Sequence, residues 1–121
     1  MKIQGVVIRG NGIGRTLDVP TANIALSEQE AIPNGVYAAK VELDNTTYPA
    51  VVNVGCKPTI EERAVRGAEV HVIGFCGNLY GRTLSVELGD FLRGEQRFDS
   101  LEELQAQIKQ DIEIVKTKIK D

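Results

Sequence analysis

The sequence is poor in the residues that build metal centres and disulfide frameworks. Among 121 residues there is one histidine, no tryptophan and two cysteines, Cys56 and Cys76, which form no CxxC pair. This set excludes a zinc site of Cys and His ligands and a disulfide-stabilised secreted fold, and it favours two buried thiols in a reducing compartment. Any metal would have to be bound through oxygen atoms.

Long apolar runs and an excess of basic charge are also missing. The longest apolar stretches are far shorter than the roughly 20 residues that a membrane helix needs, and the N-terminal residues lack the apolar core and cleavage site of a secretory signal. The 14 basic and 17 acidic residues give a formal charge of −3 without a basic run, which argues against nucleic acid. We therefore expect a cytoplasmic protein with no membrane and no nucleic-acid partner.

What is present indicates one globular domain over residues 1–121. Its 42% hydrophobic and 26% charged residues suffice for a single core. Runs rich in β-branched residues, separated by turn residues, predict strands at residues 3–8, 20–25, 36–43, 47–54, 69–75 and 83–88. The polar segment 57–67 is predicted to be a loop that could cover a site.

The C-terminal segment has helical periodicity. Ser100 and Glu103 fit a capping box. Apolar residues then recur at steps of three or four, at Leu101, Leu104, Ile108, Ile112, Val115 and Ile119. Short strands followed by one amphipathic helix predict a mainly β fold, an antiparallel barrel or sandwich closed by the helix.

Two adjacent segments carry possible phosphate chemistry. The glycine-rich turn at residues 10–16 lacks the spacing and the lysine of a phosphate loop, although its backbone N–H groups could approach an anion. In Pro20-Thr21-Ala22-Asn23, the Thr21 hydroxyl and the Asn23 carbonyl are two residues apart on an extended chain, and such hard oxygen ligands suit Mg²⁺. The alternatives are a plain turn and side chains that only satisfy local backbone.

Residues 12–24 resemble the signature of the riboflavin kinase family, whose hallmark is the Pro-Thr-Ala-Asn stretch. The family's kinase module is found alone or at the C-terminal end of bifunctional riboflavin kinase/FAD synthetase. Further similar blocks follow in order over most of the chain: Asn34-Gly35-Val36-Tyr37, Val52-Asn53-Val54-Gly55, Pro58-Thr59, Glu69-Val70-His71, Leu79-Tyr80-Gly81, Phe91-Leu92-Arg93 and Phe98.

The resemblance implies a six-stranded antiparallel Greek-key β-barrel with a C-terminal α-helix. The implied reaction transfers the γ-phosphoryl group of ATP, held with Mg²⁺, to the ribityl 5′-hydroxyl of riboflavin, giving FMN and ADP. The residues that it implies for ATP binding are Gly10, Gly12, Gly14, Arg15, Thr21, Asn23 and Tyr80, with Thr21 and Asn23 also as the Mg²⁺ ligands.

The resemblance also aligns Glu69 with the family's catalytic glutamate, which accepts or orients the proton of the attacking hydroxyl. The alternative is a solvent-facing strand residue, the usual place of a glutamate. We expect His71 to pack or to form a hydrogen bond rather than to act as the base. Arg93 and Phe98 match positions that contact the flavin, although Phe98 could instead pack beside Leu101.

Two departures and one absence limit the resemblance. Asp18 stands where the family usually has glycine, which adds negative charge near the expected phosphates, and Gln96 replaces a commonly basic residue. With no His-x-Gly-His segment, FAD synthesis is not predicted, and an FAD synthetase module would be separate or missing. Two alternatives remain: a non-catalytic flavin or nucleotide-binding regulatory module, and a barrel for protein or oligonucleotide interaction, which the scarcity of aromatic residues disfavours.

Overall fold

Six strands and one helix make up the part of the chain that the computed structural model describes, which is residues 2–8, 21–25, 32–58, 64–75, 79–94 and 99–119. In chain order they are β1 (Lys2–Ile8), β2 (Thr21–Ala25), β3 (Gly35–Leu43), β4 (Thr46–Pro58), β5 (Ala64–Val72), β6 (Thr83–Arg93) and α1 (Leu101–Ile119).

The strands form a closed antiparallel barrel in the order β1-β2-β5-β4-β3-β6. The prediction of a six-stranded barrel with a C-terminal helix is confirmed. Hairpin β3–β4 turns at Asp44 and Asn45, whose φ angles are 49° and 65°. Positive φ at both central residues is the requirement of a type I′ turn, and Asp and Asn meet it at lower cost than most residues.

The interior of the barrel is filled by alternate residues of every strand. Val41, Val52, Val70 and Val86 are all 0% exposed and belong to this core. Because successive side chains of a strand point to opposite faces, the same alternation places Glu69 and His71 on the outer face of β5. On β6 the inward face carries Leu84, Val86 and Leu88.

Helix α1 packs on the outside of the barrel. Its buried residues Ile108, Ile112 and Val115 form a second apolar cluster with Val36, Val51 and Ile73. No helix in the described ranges is long and apolar enough to cross a membrane.

The N-terminus of α1 has a modified capping box. The Glu103 N–H donates to Ser100 Oγ at 3.2 Å, as predicted, but the Glu103 carboxylate accepts from the Asp99 N–H at 3.1 Å rather than from that of Ser100. The side chains of Leu101, Leu104 and Ile119 lie outside the described set.

The strand ends differ from the predicted ones. The loop predicted over residues 57–67 is wrong at both ends, because β4 continues to Pro58 and β5 starts at Ala64, with the two segments paired. Strand β5 ends at Val72, before the predicted Phe75, and β6 continues to Arg93. Polarity misled the prediction here, because outward-facing barrel residues need not be apolar to remain in a ladder.

Candidate active site

A row of directly paired residues crosses five strands on the outer face of the barrel. Its members, in strand order, are Asn23 (β2), Glu69 (β5), Asn53 (β4), Val36 (β3) and Arg93 (β6). Directly opposed residues share a face, and Val36 packs against α1, so the row lies on the helix-bearing face. Below it is called the cross-strand row.

Glu69, at the second position of this row, is buried. It is 7% exposed, and its neighbour His71 is 2% exposed. His71 Nε2 lies 3.2 Å from Glu69 Oε1. At this exposure Glu69 is not a solvent-facing strand residue, and its catalytic role stays a prediction.

Strand β2 brings the predicted phosphate and metal residues beside Glu69. Asn23 is directly opposite Glu69, and Thr21 is opposite His71. Adjacent strands lie roughly 4.8 Å apart, so Thr21-Ala22-Asn23 runs alongside the strand that carries the carboxylate. The Thr21 side chain is outside the described set, and its role stays a prediction.

Arg93 ends the row at a buried carboxylate of the helix. Its Nε and Nη2 donate to Asp111 Oδ1 and Oδ2 at 3.2 and 2.8 Å, and Gln107 Nε2 donates to Asp111 Oδ1 at 3.1 Å. Asp111 is 2% exposed. A bidentate pair of this kind fixes the plane of the guanidinium group, while Nη1 donates to the Gly94 carbonyl at 3.3 Å.

Arg93 and Glu69 are separated by three strand spacings, roughly 14 Å along the sheet. They lie on one face of the barrel, with Asn53 and Val36 between them. Val36, within this span, is covered by α1.

Tyr80 lies near the opposite end of the row. It is 56% exposed, on a turn joined to β1 by hydrogen bonds from the Gly81 N–H to the Val7 carbonyl and from the Val7 N–H to the Arg82 carbonyl. The residue after Val7, Ile8, pairs with Asn23. Predicted site residues that lie outside the described residues are Gly10, Gly12, Gly14, Arg15 and Phe98, together with the departures Asp18 and Gln96.

Three polar residues of the site were not predicted: Asn53, Gln107 and Asp111. A signal for Asp111 is present in the sequence, since it lies three residues after Ile108 and four before Val115, on the apolar stripe of the helix. Asn53 interrupts the apolar run Val51, Val52 and Val54. A polar residue inside an apolar pattern can indicate a buried polar contact, which Asp111 makes with Arg93 and Gln107, whereas Asn53 is half-buried.

The donor atoms near the row fit a hard cation. In the described ranges, no group of three or more His, Cys, Asp or Glu residues could hold a metal ion by itself. The Asn23 amide oxygen instead suits Mg²⁺ that keeps phosphate and water ligands, which is its usual arrangement with nucleotides.

The fold and the row together define a small antiparallel barrel with a buried carboxylate beside neutral oxygen donors. A family model described as "Flavokinase: Riboflavin kinase" matches residues 1–119. The chain belongs to the riboflavin kinase family.

Bacterial relatives support this membership. The chain is 40% identical over 111 residues to a bifunctional riboflavin kinase/FMN adenylyltransferase of Pseudomonas fluorescens, covering 92% of this chain and 36% of that protein. It is 43% identical over 111 residues to the enzyme of the same description from Escherichia coli K12, covering 90% and 35%. The chain thus spans just over a third of the length of these relatives.

Two solved structures share the fold. One, described as a macrolide-efflux protein from Streptococcus pneumoniae, superposes with a TM-score of 0.79 at 35% identity, covering 95% of this chain and 38% of that chain. A riboflavin kinase from Trypanosoma brucei superposes with a TM-score of 0.66 at 21% identity, covering 99% and 80%. The second likeness concerns the fold alone.

Proposed function

We propose that the chain is a riboflavin kinase, which transfers the γ-phosphoryl group of ATP to the 5′-hydroxyl of riboflavin. The observation that carries the proposal is the cross-strand row. In it, the buried Glu69 lies directly between Asn23 of β2 and Asn53 of β4. Family membership supports the identity of the substrates.

In the proposed reaction, Glu69 accepts the proton of the 5′-hydroxyl as that oxygen forms its bond to the γ-phosphorus. The bond between the γ-phosphorus and the bridging oxygen breaks, and ADP leaves with the electron pair. Thr21 and Asn23 hold the nucleotide phosphates and would be the protein ligands of Mg²⁺, which supplies charge neutralisation when bound. Phosphoryl transfer needs mainly such alignment and charge stabilisation.

Arg93 is proposed to contact the flavin. Its guanidinium plane is held by Asp111, so the cation reaches the substrate in a fixed orientation, at the far end of the row from Asn23. The ribityl chain would then extend from there towards Glu69. Phe98 is proposed to contact the flavin, and Gly10, Gly12, Gly14, Arg15 and Tyr80 the nucleotide.

The non-catalytic alternative rests on Asp18 and is not favoured. This alternative would be favoured if the chain bound flavin but formed no FMN when ATP was added. We also propose a cytoplasmic location, because the two cysteines form no disulfide framework in the sequence.

The direct test is to incubate the purified chain with riboflavin and ATP, with and without Mg²⁺, and to separate FMN from riboflavin by chromatography. We expect FMN and ADP in equal amounts, with formation abolished by a chelator and restored by added Mg²⁺. Absence of FMN under saturating substrates, with riboflavin still bound, would favour the regulatory module.

A further inference from the structure

The single histidine of the chain lies buried beside the proposed base. We propose that His71 is a positioning residue: its Nε2–H donates to Glu69 Oε1 and holds the carboxylate in the orientation needed to accept the substrate proton. This inference rests on the proposed function, and it assigns to His71 a role through Glu69 rather than a direct contact with substrate.

The contact is not a necessary result of strand geometry. Residues two apart on a strand share a face, but their backbones are separated by roughly 6.6 Å. The two side chains must therefore lean towards each other to bring Nε2 within 3.2 Å of Oε1. Glutamate loses considerable rotamer freedom when it is buried, and a fixed hydrogen-bond donor selects one orientation in advance of substrate binding.

His71 is well placed to be such a fixed donor. It is 2% exposed and lies on β5, which pairs with β2 on one side and β4 on the other. Thr21 and Val51 occupy the directly opposite positions. Because strands are paired on both sides of β5, the imidazole is held in place and can in turn fix the orientation of the Glu69 carboxylate.

The first test uses NMR of the imidazole nitrogens, which a chain with one histidine makes unambiguous once any purification tag is removed. We expect a proton on Nε2 in the wild type, and a change in the Nε2 chemical shift that exceeds the change at Nδ1 when Glu69 is replaced by Ala. A wild-type imidazole protonated on Nδ1 alone would overturn the proposal, because Nε2 could not donate. This test does not require activity.

The second test compares two amides of different length. The side-chain nitrogen of Gln reaches about the position of histidine Nε2, whereas that of Asn reaches about the position of Nδ1. We expect His71→Asn to lower kcat about 10- to 100-fold, the order of effect produced by misplacing a reacting group. His71→Gln should keep kcat within about 3-fold of the wild type. The KM values for ATP and riboflavin should change less than about 2-fold in both variants.

A structural role alone would not give this pattern. Thermal unfolding of both variants is the control, and equal losses of kcat in His71→Gln and His71→Asn would overturn the proposal. If His71→Asn does not fold, the NMR result and His71→Gln decide, and a His71→Gln variant that folds but loses kcat about 10-fold or more counts against the proposal.

The third test asks whether His71 acts through Glu69. In a Glu69→Ala background, adding His71→Asn should cause no further loss of kcat, because the residue that it positions is gone. Multiplication of the two losses would overturn the inference. Failure of the wild type to make FMN would reject the proposed function, whereas FMN formation with a fully active His71→Asn would reject this inference alone.

Discussion

At the scale of single residues, Glu69 and His71 on the outer face of β5 are buried, although strand alternation alone predicts that they are exposed. Val70 and Val72 face the core, and Glu69 and His71 face outward, yet all four are buried. A carboxylate that is kept from bulk solvent and beside a donor is oriented before substrate arrives, and such preorganisation is what an alignment-dependent phosphoryl transfer requires.

We predict that Glu69→Ala lowers kcat for FMN formation about 10²- to 10⁴-fold, the usual contribution of a positioned general base. The KM values should change little, because the substrates are held by other residues. Steady-state kinetics with chromatographic detection measures this, and Glu87→Ala, which removes an exposed outward-facing glutamate of β6, is the matched control. Near wild-type turnover by Glu69→Ala would reject the assigned base.

At the scale of elements, α1 performs two tasks on the barrel wall. Its apolar face covers Val36 and Val51, and its buried Asp111 holds Arg93 at the end of β6. The first task stabilises the fold, and the second connects the helix to the proposed flavin site. The two tasks can be separated by substitution.

For the packing task, we predict that Ile112→Ala costs about 2 to 4 kcal/mol of unfolding free energy, as expected for a buried isoleucine. Ile114→Ala makes the same chemical change two residues away, where the side chain is 45% exposed, and should cost less than about 1 kcal/mol. Urea unfolding followed by circular dichroism measures both. Equal losses would mean that α1 does not dock through the face described.

For the second task, the Arg93–Asp111 ion pair, we predict that Asp111→Asn raises the KM for riboflavin several-fold and leaves the KM for ATP unchanged. The substitution frees the Arg93 guanidinium group while preserving the shape of the side chain at position 111. Stability should fall by about 1 to 3 kcal/mol, below the full cost of breaking a buried pair, since the Arg93 side chain is 22% exposed. Flavin fluorescence gives the riboflavin affinity.

The control for the Arg93–Asp111 ion pair is Glu113→Gln, which neutralises an exposed carboxylate of the same helix, 3.8 Å from Lys116. Such a surface pair contributes little, so both stability and KM should stay near wild type. An Asp111→Asn variant with unchanged riboflavin affinity would show that Arg93 is held for the fold and not for the flavin.

At the scale of the whole molecule, much of the architecture could be predicted from the sequence because local patterns and fold agree. Alternation of apolar and other residues in β5 and β6 indicates the inward faces, and Asp44-Asn45 favours a tight hairpin turn. The extension of β4 to Pro58 could not be predicted, since it depends on pairing with the start of β5, in a segment whose polarity is typical of a loop. Burial of Glu69 likewise depends on what covers the outer face, which strand alternation does not encode.

The proposed nucleotide contact lies where β1 and β2 meet. In the described ranges, β1 pairs with β2 through Val7–Ile24 and Ile8–Asn23; this junction is called the β1–β2 seam. A nucleotide held at Asn23 would be released if the seam opened, so its binding free energy opposes local opening there.

We therefore predict that nucleotide binding protects this seam against opening. The probes are the backbone amides of Ile8 and Asn23, which are directly opposite each other across the seam. ATP with Mg²⁺ at 100 times its Kd stabilises the bound state by about 2.7 kcal/mol. Seam amides should then exchange about 100-fold more slowly, because opening at Asn23 would release the phosphates.

Hydrogen exchange monitored by NMR tests this prediction, with the exposed turn amides of Asp44 and Asn45 as internal controls that should not change. Asn23→Ala should weaken nucleotide affinity and, at the same ATP concentration, reduce the protection. If ATP raised the melting temperature while the seam amides kept their ligand-free exchange rates, the nucleotide would bind without engaging the seam. Asn23 would then lose its assigned role, although Glu69 could keep its own.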